Sequence, residues 1–174
     1  MNSCAFYSVK GTIPIHIKSI YVKPIVNQSN DQEIVSLLDA KLNELLINEN
    51  ILEIKGYDSS DSKLEIKILE VTDLPFTISK GDQYEKVEEW KLSVKVHAVW
   101  SDFEKGNVIF DSIINEWGVY GSSLDIGSDG IDNDGDGLVD SDDSDEVGAP
   151  RESAKLIAVN KITERILTKM TSTW

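Results

Sequence analysis

Lys91-Leu92-Ser93-Val94-Lys95-Val96-His97-Ala98-Val99-Trp100 sets Leu92, Val94, Val96, Ala98 and Trp100 at every second position, against Lys91, Ser93, Lys95 and His97 between them. A period of two held this long predicts a strand with one packed and one solvated face, as in an antiparallel sheet. Working outward, Leu64, Ile66 and Ile68 alternate with Glu65 and Lys67, and Leu52 and Ile54 with Glu53 and Lys55. A last strand over 108–120 alternates less cleanly and is expected to carry a bulge. Upstream, 17–26 is rich in β-branched residues, and Pro24 should bring that strand to an edge or an end. Asn30 and Glu33 form a capping-box pair ahead of Ile34, Leu38, Leu42 and Leu45, which predicts a helix over 31–47. Pro150 stands where a first helical residue would, followed by Val159, Ile162, Ile166 and Met170 at spacings of three and four.

The order strand, helix, four strands, helix predicts an α+β fold. The expected architecture is a two-layer sandwich, a four- to five-stranded mostly antiparallel sheet with two helices on one face. The 174 residues read as a single domain over 1–174, with 121–149 as an insertion in it. No apolar run reaches the roughly 18 residues needed to span a bilayer.

The net charge of -14 argues against nucleic acid as a partner, because binding phosphates needs a basic surface. That charge is concentrated. The insertion carries ten acids and no lysine or arginine, which leaves -4 on the rest of the chain. Within it, Asp132-Asn133-Asp134-Gly135-Asp136-Gly137-Leu138-Val139-Asp140-Ser141-Asp142-Asp143 follows the spacing of a calcium loop. Asp132, Asp134, Asp136, Asp140 and Asp143 are the carboxylate ligands. Gly137 lets the backbone turn so that the Leu138 carbonyl faces the same ion. Asp143 replaces the customary glutamate, and its shorter side chain weakens bidentate coordination or tightens the loop. A calcium ion would turn mutual repulsion of the carboxylates into coordination; without one the run reads as a solvated acidic loop. The glycine-punctuated run resembles thrombospondin type 3 and dockerin-like calcium loops. Asp125, Asp129, Asp142 and Asp145 could serve a second ion, and the expected role is structural.

Cys4, the single cysteine, follows small residues as the last residue of a bacterial lipobox does, so it is the candidate lipid attachment, with a signal peptide removed ahead of it. A free thiol near a terminus is the other reading. No Walker loop, dinucleotide fingerprint or nucleophile-histidine spacing is present, and His16 and His97 read as surface residues, so no enzyme is expected. Trp90, Trp117, Tyr120 and Trp174 read as core lids or as contact surface.

Cys4-Ala5-Phe6-Tyr7-Ser8-Val9-Lys10-Gly11-Thr12, the following Ile13-Pro14-Ile15-His16-Ile17-Lys18-Ser19-Ile20 and the segment through Ser29 resemble the opening of LPS-assembly lipoproteins of the LptE family. The terminal helix fits the same pattern, and the resemblance covers nearly the whole chain outside the insertion. It implies a sheet carrying two helices and a lipid anchor at Cys4 on the periplasmic face of the outer membrane. It also implies a one-to-one complex in which the protein plugs an LptD-type β-barrel and assists its assembly and lipopolysaccharide export, with lipopolysaccharide as a further contact. The insertion is not part of that pattern. The charge is also wrong for gripping an anionic lipid through many basic residues, so such contact is slight, local to a few lysines, or bridged by calcium. The competing expectation is a free-standing calcium-dependent lipoprotein that holds a glycan or protein.

Overall fold

A computed structural model describes residues 13–80, 85–121 and 150–172. Along the chain run β1 (Ser19–Val22), β2 (Val26–Asn27), α1 (Glu33–Asn48), β3 (Glu53–Ile54), β4 (Ser62–Lys80), β5 (Glu85–Asp102), β6 (Val108–Gly121) and α2 (Pro150–Thr171). The sheet order is β3-β1-β4-β5-β6, with β2 also on β4. The two-layer α+β arrangement is as the sequence implies. β4, β5 and β6 are antiparallel neighbours, whereas β1, β2 and β3 join in parallel, so the sheet is mixed.

β1 and β2 are the predicted first strand, broken at Pro24. Both halves pair with β4, at Leu64 and at Lys67 and Ile68, and the proline sits in the gap where no ladder donor is needed. The predicted capping box does not form. The Asp31 carboxylate accepts the N–H groups of Glu33 and Ile34 at 3.2 Å, doing the work assigned to Asn30. α1 buries Ile34, Leu38, Leu42 and Leu46. Leu46 replaces the expected Leu45 because the buried stripe steps by four throughout. Asn50, at φ 46°, ends the helix in the left-handed conformation that asparagine tolerates.

The core lies between the sheet and the two helices. Leu64, Ile66 and Ile68 of β4 and Leu92, Val94, Val96, Ala98 and Trp100 of β5 meet Val159, Ile162, Ile166 and Met170 of α2 in one buried cluster. The indole N–H of Trp100 is buried there without a hydrogen-bond partner among the described residues. α2 approaches β6 so closely that a Cβ on Gly118 would fall 2.3 Å from the Ala154 carbonyl oxygen. Glycine at 118 is therefore what lets helix and strand touch. The expected bulge in β6 is present at Ile109, where the register with β5 shifts between Trp100 and Ser101.

β4 and β5 run far beyond the predicted cores of 64–68 and 92–100. Pro75 is tolerated in β4 because β2 leaves β4 after Ile68, so from there one edge of β4 is unpaired among the described residues. The result is a long extension of β4, β5 and β6 beyond the reach of β2, narrowing to β4 and β5 past Glu89.

Candidate interaction face

All the site residues singled out from sequence, namely Cys4 and the calcium ligands Asp132, Asp134, Asp136, Leu138, Asp140 and Asp143, lie outside the described residues. What the structure does show is where the insertion leaves and returns. It leaves after Gly121 and returns at Pro150, and a polar network ties those two points together. The Tyr120 hydroxyl donates to Asp73 Oδ1 at 2.9 Å, and Arg151 donates from Nη2 to Asp73 Oδ2 at 2.9 Å and from Nη1 to Asp31 Oδ2 at 3.3 Å. Lys155, almost fully buried, lies 2.8 Å from Glu152, 3.1 Å from Glu33 and 3.2 Å from Asp31. Burial pulls the Lys155 ammonium down, but its bonds to Glu152, Glu33 and Asp31 outweigh this and hold it above the ordinary lysine value. Burial likewise pushes Asp31 up, and Lys155, the Ile34 amide and Arg151 bring it below the usual aspartate range. The insertion thus hangs from one fixed point joining α1, β4, β6 and α2.

At the opposite end, His16 Nε2 meets the buried Asp102 Oδ2 at 2.7 Å, so His16 is a half-buried structural residue. Asp102 Oδ1 accepts the amides of Glu104 and Lys105 and shapes the turn into β6, where Gly106 has φ +64°. Asp61 accepts the amides of Lys18 and Ser19 and the Ser19 hydroxyl, and the Lys18 amide leads in holding its carboxyl below the usual range. Both clusters stitch loops together.

The face of the sheet away from the helices is uncovered among the described residues. Its proximal half is polar. Lys23 and Lys63 grip Glu65 at 2.6 and 2.9 Å, and hydrogen bonds from Lys23 and then Lys63 hold the Glu65 carboxyl below its ordinary value. His97 Nε2 lies 2.6 Å from Asp111 Oδ1. The cross-strand neighbours of His97 are Lys67 and Ile113. A shallow groove of about 390 Å³ runs between Lys23, Val26, Glu65, Lys67, His97 and Val99. Lys67 and Lys95 make no ion pair among the described residues, which leaves local positive charge on an acidic protein.

The distal half mixes exposed apolar side chains with polar ones such as Thr72, Lys91 and Ser93. Leu74 and Phe76 are 58% and 50% exposed, and the Phe76 ring lies 5.8 Å from Trp117; Ile78, 53% exposed, follows two register shifts between β4 and β5. Lys91 and Lys161 lie over the Trp117 ring at 4.4 and 5.0 Å. Of the four aromatics named from sequence, Trp117 is 36% exposed on the open face and Tyr120 anchors the polar network. Trp90 lies inside β5, and Trp174 falls outside the described residues. The sequence reading missed Leu74, Phe76 and Ile78. They lie beyond the alternating core of 64–68, where register shifts interrupt the pairing with β5.

Chemically, this surface offers apolar rings, backbone-ordered lysines and a groove too open to exclude water. It suits a broad partner better than a buried small molecule. No helix among the described residues is long and apolar enough to cross a membrane.

No family model matches the chain, and no curated protein matches it. Solved structures do. A hypothetical protein from Chlamydia trachomatis is 12% identical with a TM-score of 0.54, over 91% of this chain and 99% of that one. A protein described as a neuraminyllactose-binding hemagglutinin homolog, from Helicobacter pylori, is 12% identical with a TM-score of 0.54, over 92% and 89%. A minor lipoprotein from Acinetobacter baumannii is 12% identical with a TM-score of 0.50, over 90% and 94%. At such identity, what these proteins share with this chain is its fold.

Proposed function

We propose that this chain is a non-catalytic outer-membrane lipoprotein, anchored through Cys4 on the periplasmic side, that docks one-to-one with an LptD-type β-barrel and assists lipopolysaccharide export. The observation that carries this reading is the exposed pair Leu74 and Phe76 beside Trp117, on a sheet face that nothing covers among the described residues. Large apolar side chains left together in water mark a surface made for a partner. The fold shared with a minor lipoprotein and the LptE-like residues 4–29 support the same reading. Lysines such as Lys67 and Lys95, on a face otherwise set in an acidic chain, supply local contact for an anionic lipid head group. A single acyl chain holds only marginally, so a multiply acylated cysteine plus docking makes attachment durable.

The insertion is proposed to hold a structural calcium ion through Asp132, Asp134, Asp136, the Leu138 carbonyl, Asp140 and Asp143. Side-chain and carbonyl oxygens at this spacing suit a hard cation. Calorimetry should detect calcium binding to the wild type and none to the Asp132→Ala/Asp136→Ala variant; equal heats would remove the ion from the account.

The deciding experiment is co-purification of the full-length precursor from detergent-solubilised outer membranes, with Cys4→Ala as the control for anchoring. A barrel protein is expected in equal amount with the wild type. If no barrel accompanies it and depletion leaves surface lipopolysaccharide unchanged, a calcium-dependent glycan- or protein-binding lipoprotein is the better reading.

A further inference from the structure

Among the described residues β6 closes the sheet on one side, as an edge strand of fourteen residues. Its sequence, Val108-Ile109-Phe110-Asp111-Ser112-Ile113-Ile114-Asn115-Glu116-Trp117-Gly118-Val119-Tyr120-Gly121, contains no proline, lysine or arginine. Those are residues that proteins use to blunt an edge against strand pairing. Its register with β5 is continuous from Phe110 to Gly121. The Trp117 carbonyl accepts a bond from Lys161 Nζ at 3.1 Å, so it points away from β5. By the alternation of a strand, the N–H and C=O groups of Asp111, Ile113 and Asn115 point outward as well. The bulge at Ile109 limits this regular outward ladder on one side, and the lysine-capped Trp117 carbonyl limits it on the other. Ile113 is its midpoint and is 63% exposed.

A ladder with a single midpoint is self-complementary. We infer that β6 is a homodimerisation edge, on which a second copy of this chain adds antiparallel about Ile113 to make one continuous sheet. Ile113 then faces Ile113 of the second copy across a hydrogen-bonded pair, and Asp111 faces Asn115. Ser112 falls opposite Ile114 on the helix side. No acid meets an acid in this register, whereas centring the pair on Asp111 would oppose two aspartates directly. Glu116, the other acid of the strand, is held by Arg165 at 3.2 Å and lies opposite Phe110. The ladder is short, so association is weak and depends on concentration. The inference concerns the chain alone and stands apart from the proposed barrel partner.

Sedimentation of the whole soluble chain with Cys4→Ser, followed up to millimolar concentration, is expected to show the mass rising toward that of two chains. Ile113→Lys should stay monomeric with unchanged circular dichroism, and so should Ile113→Pro where it folds. Register is read by oxidation. Ile113→Cys places two thiols on Cα atoms about 5.5 Å apart, within disulfide reach, whereas Asn115→Cys places them about 14 Å apart. A disulfide dimer from the first and not the second is expected. Three results would overturn the inference: a monomer at every concentration, a dimer that cross-links equally at both positions, or a dimer that forms only after 122–147 is deleted, which would mean that the chain's own insertion covers this edge.

Discussion

The two faces of the same strands differ in what they are for. Along β5, Leu92, Val94, Val96, Ala98 and Trp100 are fully buried, while Lys91, Ser93, Lys95, His97 and Val99 on the other face are only partly covered. One set meets α1 and α2 and fixes the fold; the other meets nothing that the described residues supply. Neighbouring residues one peptide apart therefore answer to different demands, and substitutions on the two faces should behave differently.

The largest contrast is expected at adjacent positions. Leu92→Ala removes a fully buried side chain of the core and should cost about 2–5 kcal/mol in chemical denaturation. Ser93→Ala, facing outward, should stay within about 0.5 kcal/mol. Similar losses at both would mean that the outer face is also packed.

The polar network at the root of the insertion comes next. Lys155→Ala strands Asp31, Glu33 and Glu152 around a vacated site and should cost about 1–3 kcal/mol, because two of these acids keep access to water. Acid has a related effect. Asp31 and Asp102 sit below the ordinary aspartate value of 3.8 in the folded chain, so each contributes stability that is complete above that value and lost as pH falls through the depressed one. Urea midpoints should therefore drop below about pH 4, and Asp31→Asn should flatten that drop while lowering the plateau. A drop left unchanged by this variant would show that other carboxylates carry it.

Smaller still is the effect of removing the insertion. Because Tyr120 and Arg151 both bind Asp73, the two ends of the insertion start from one place, and replacing 122–147 by a short glycine linker should change stability by about 1 kcal/mol. Loss of cooperative unfolding would instead make the insertion part of the body. The smallest effect on stability is expected from Phe76→Ser on the open face, within about 0.5 kcal/mol, paired with lost capture of the barrel partner.

How far the sequence could be read follows the same division. Burial writes a period into the chain, so the β4, β5 and α2 cores and all but the last position of the α1 stripe were legible in Leu64, Leu92, Val159 and Leu38. Long-range polar contacts write no period. Nothing near His16 announces that Asp102 holds it, and the Asp31 cap on α1 was hidden behind a better-known Asn30-Glu33 spacing. The parallel attachment of β1 and β3 depends on α1 crossing over between them, and alternation alone is silent about strand direction. The open face was hardest to see. Its exposed apolar side chains lie past the end of β2, where Pro75 is tolerated as an edge residue.

The central claim is that the open face is where the partner sits. A photo-reactive phenylalanine analogue can be placed at Phe76, beside Trp117, and in a second sample at Ile47, which is just as accessible on the helix layer. Irradiated outer membranes should yield a covalent adduct to a β-barrel protein from position 76 and none from position 47. An adduct from 47 alone, or from neither position while the anchored protein co-purifies with a barrel, would contradict the assignment of this face.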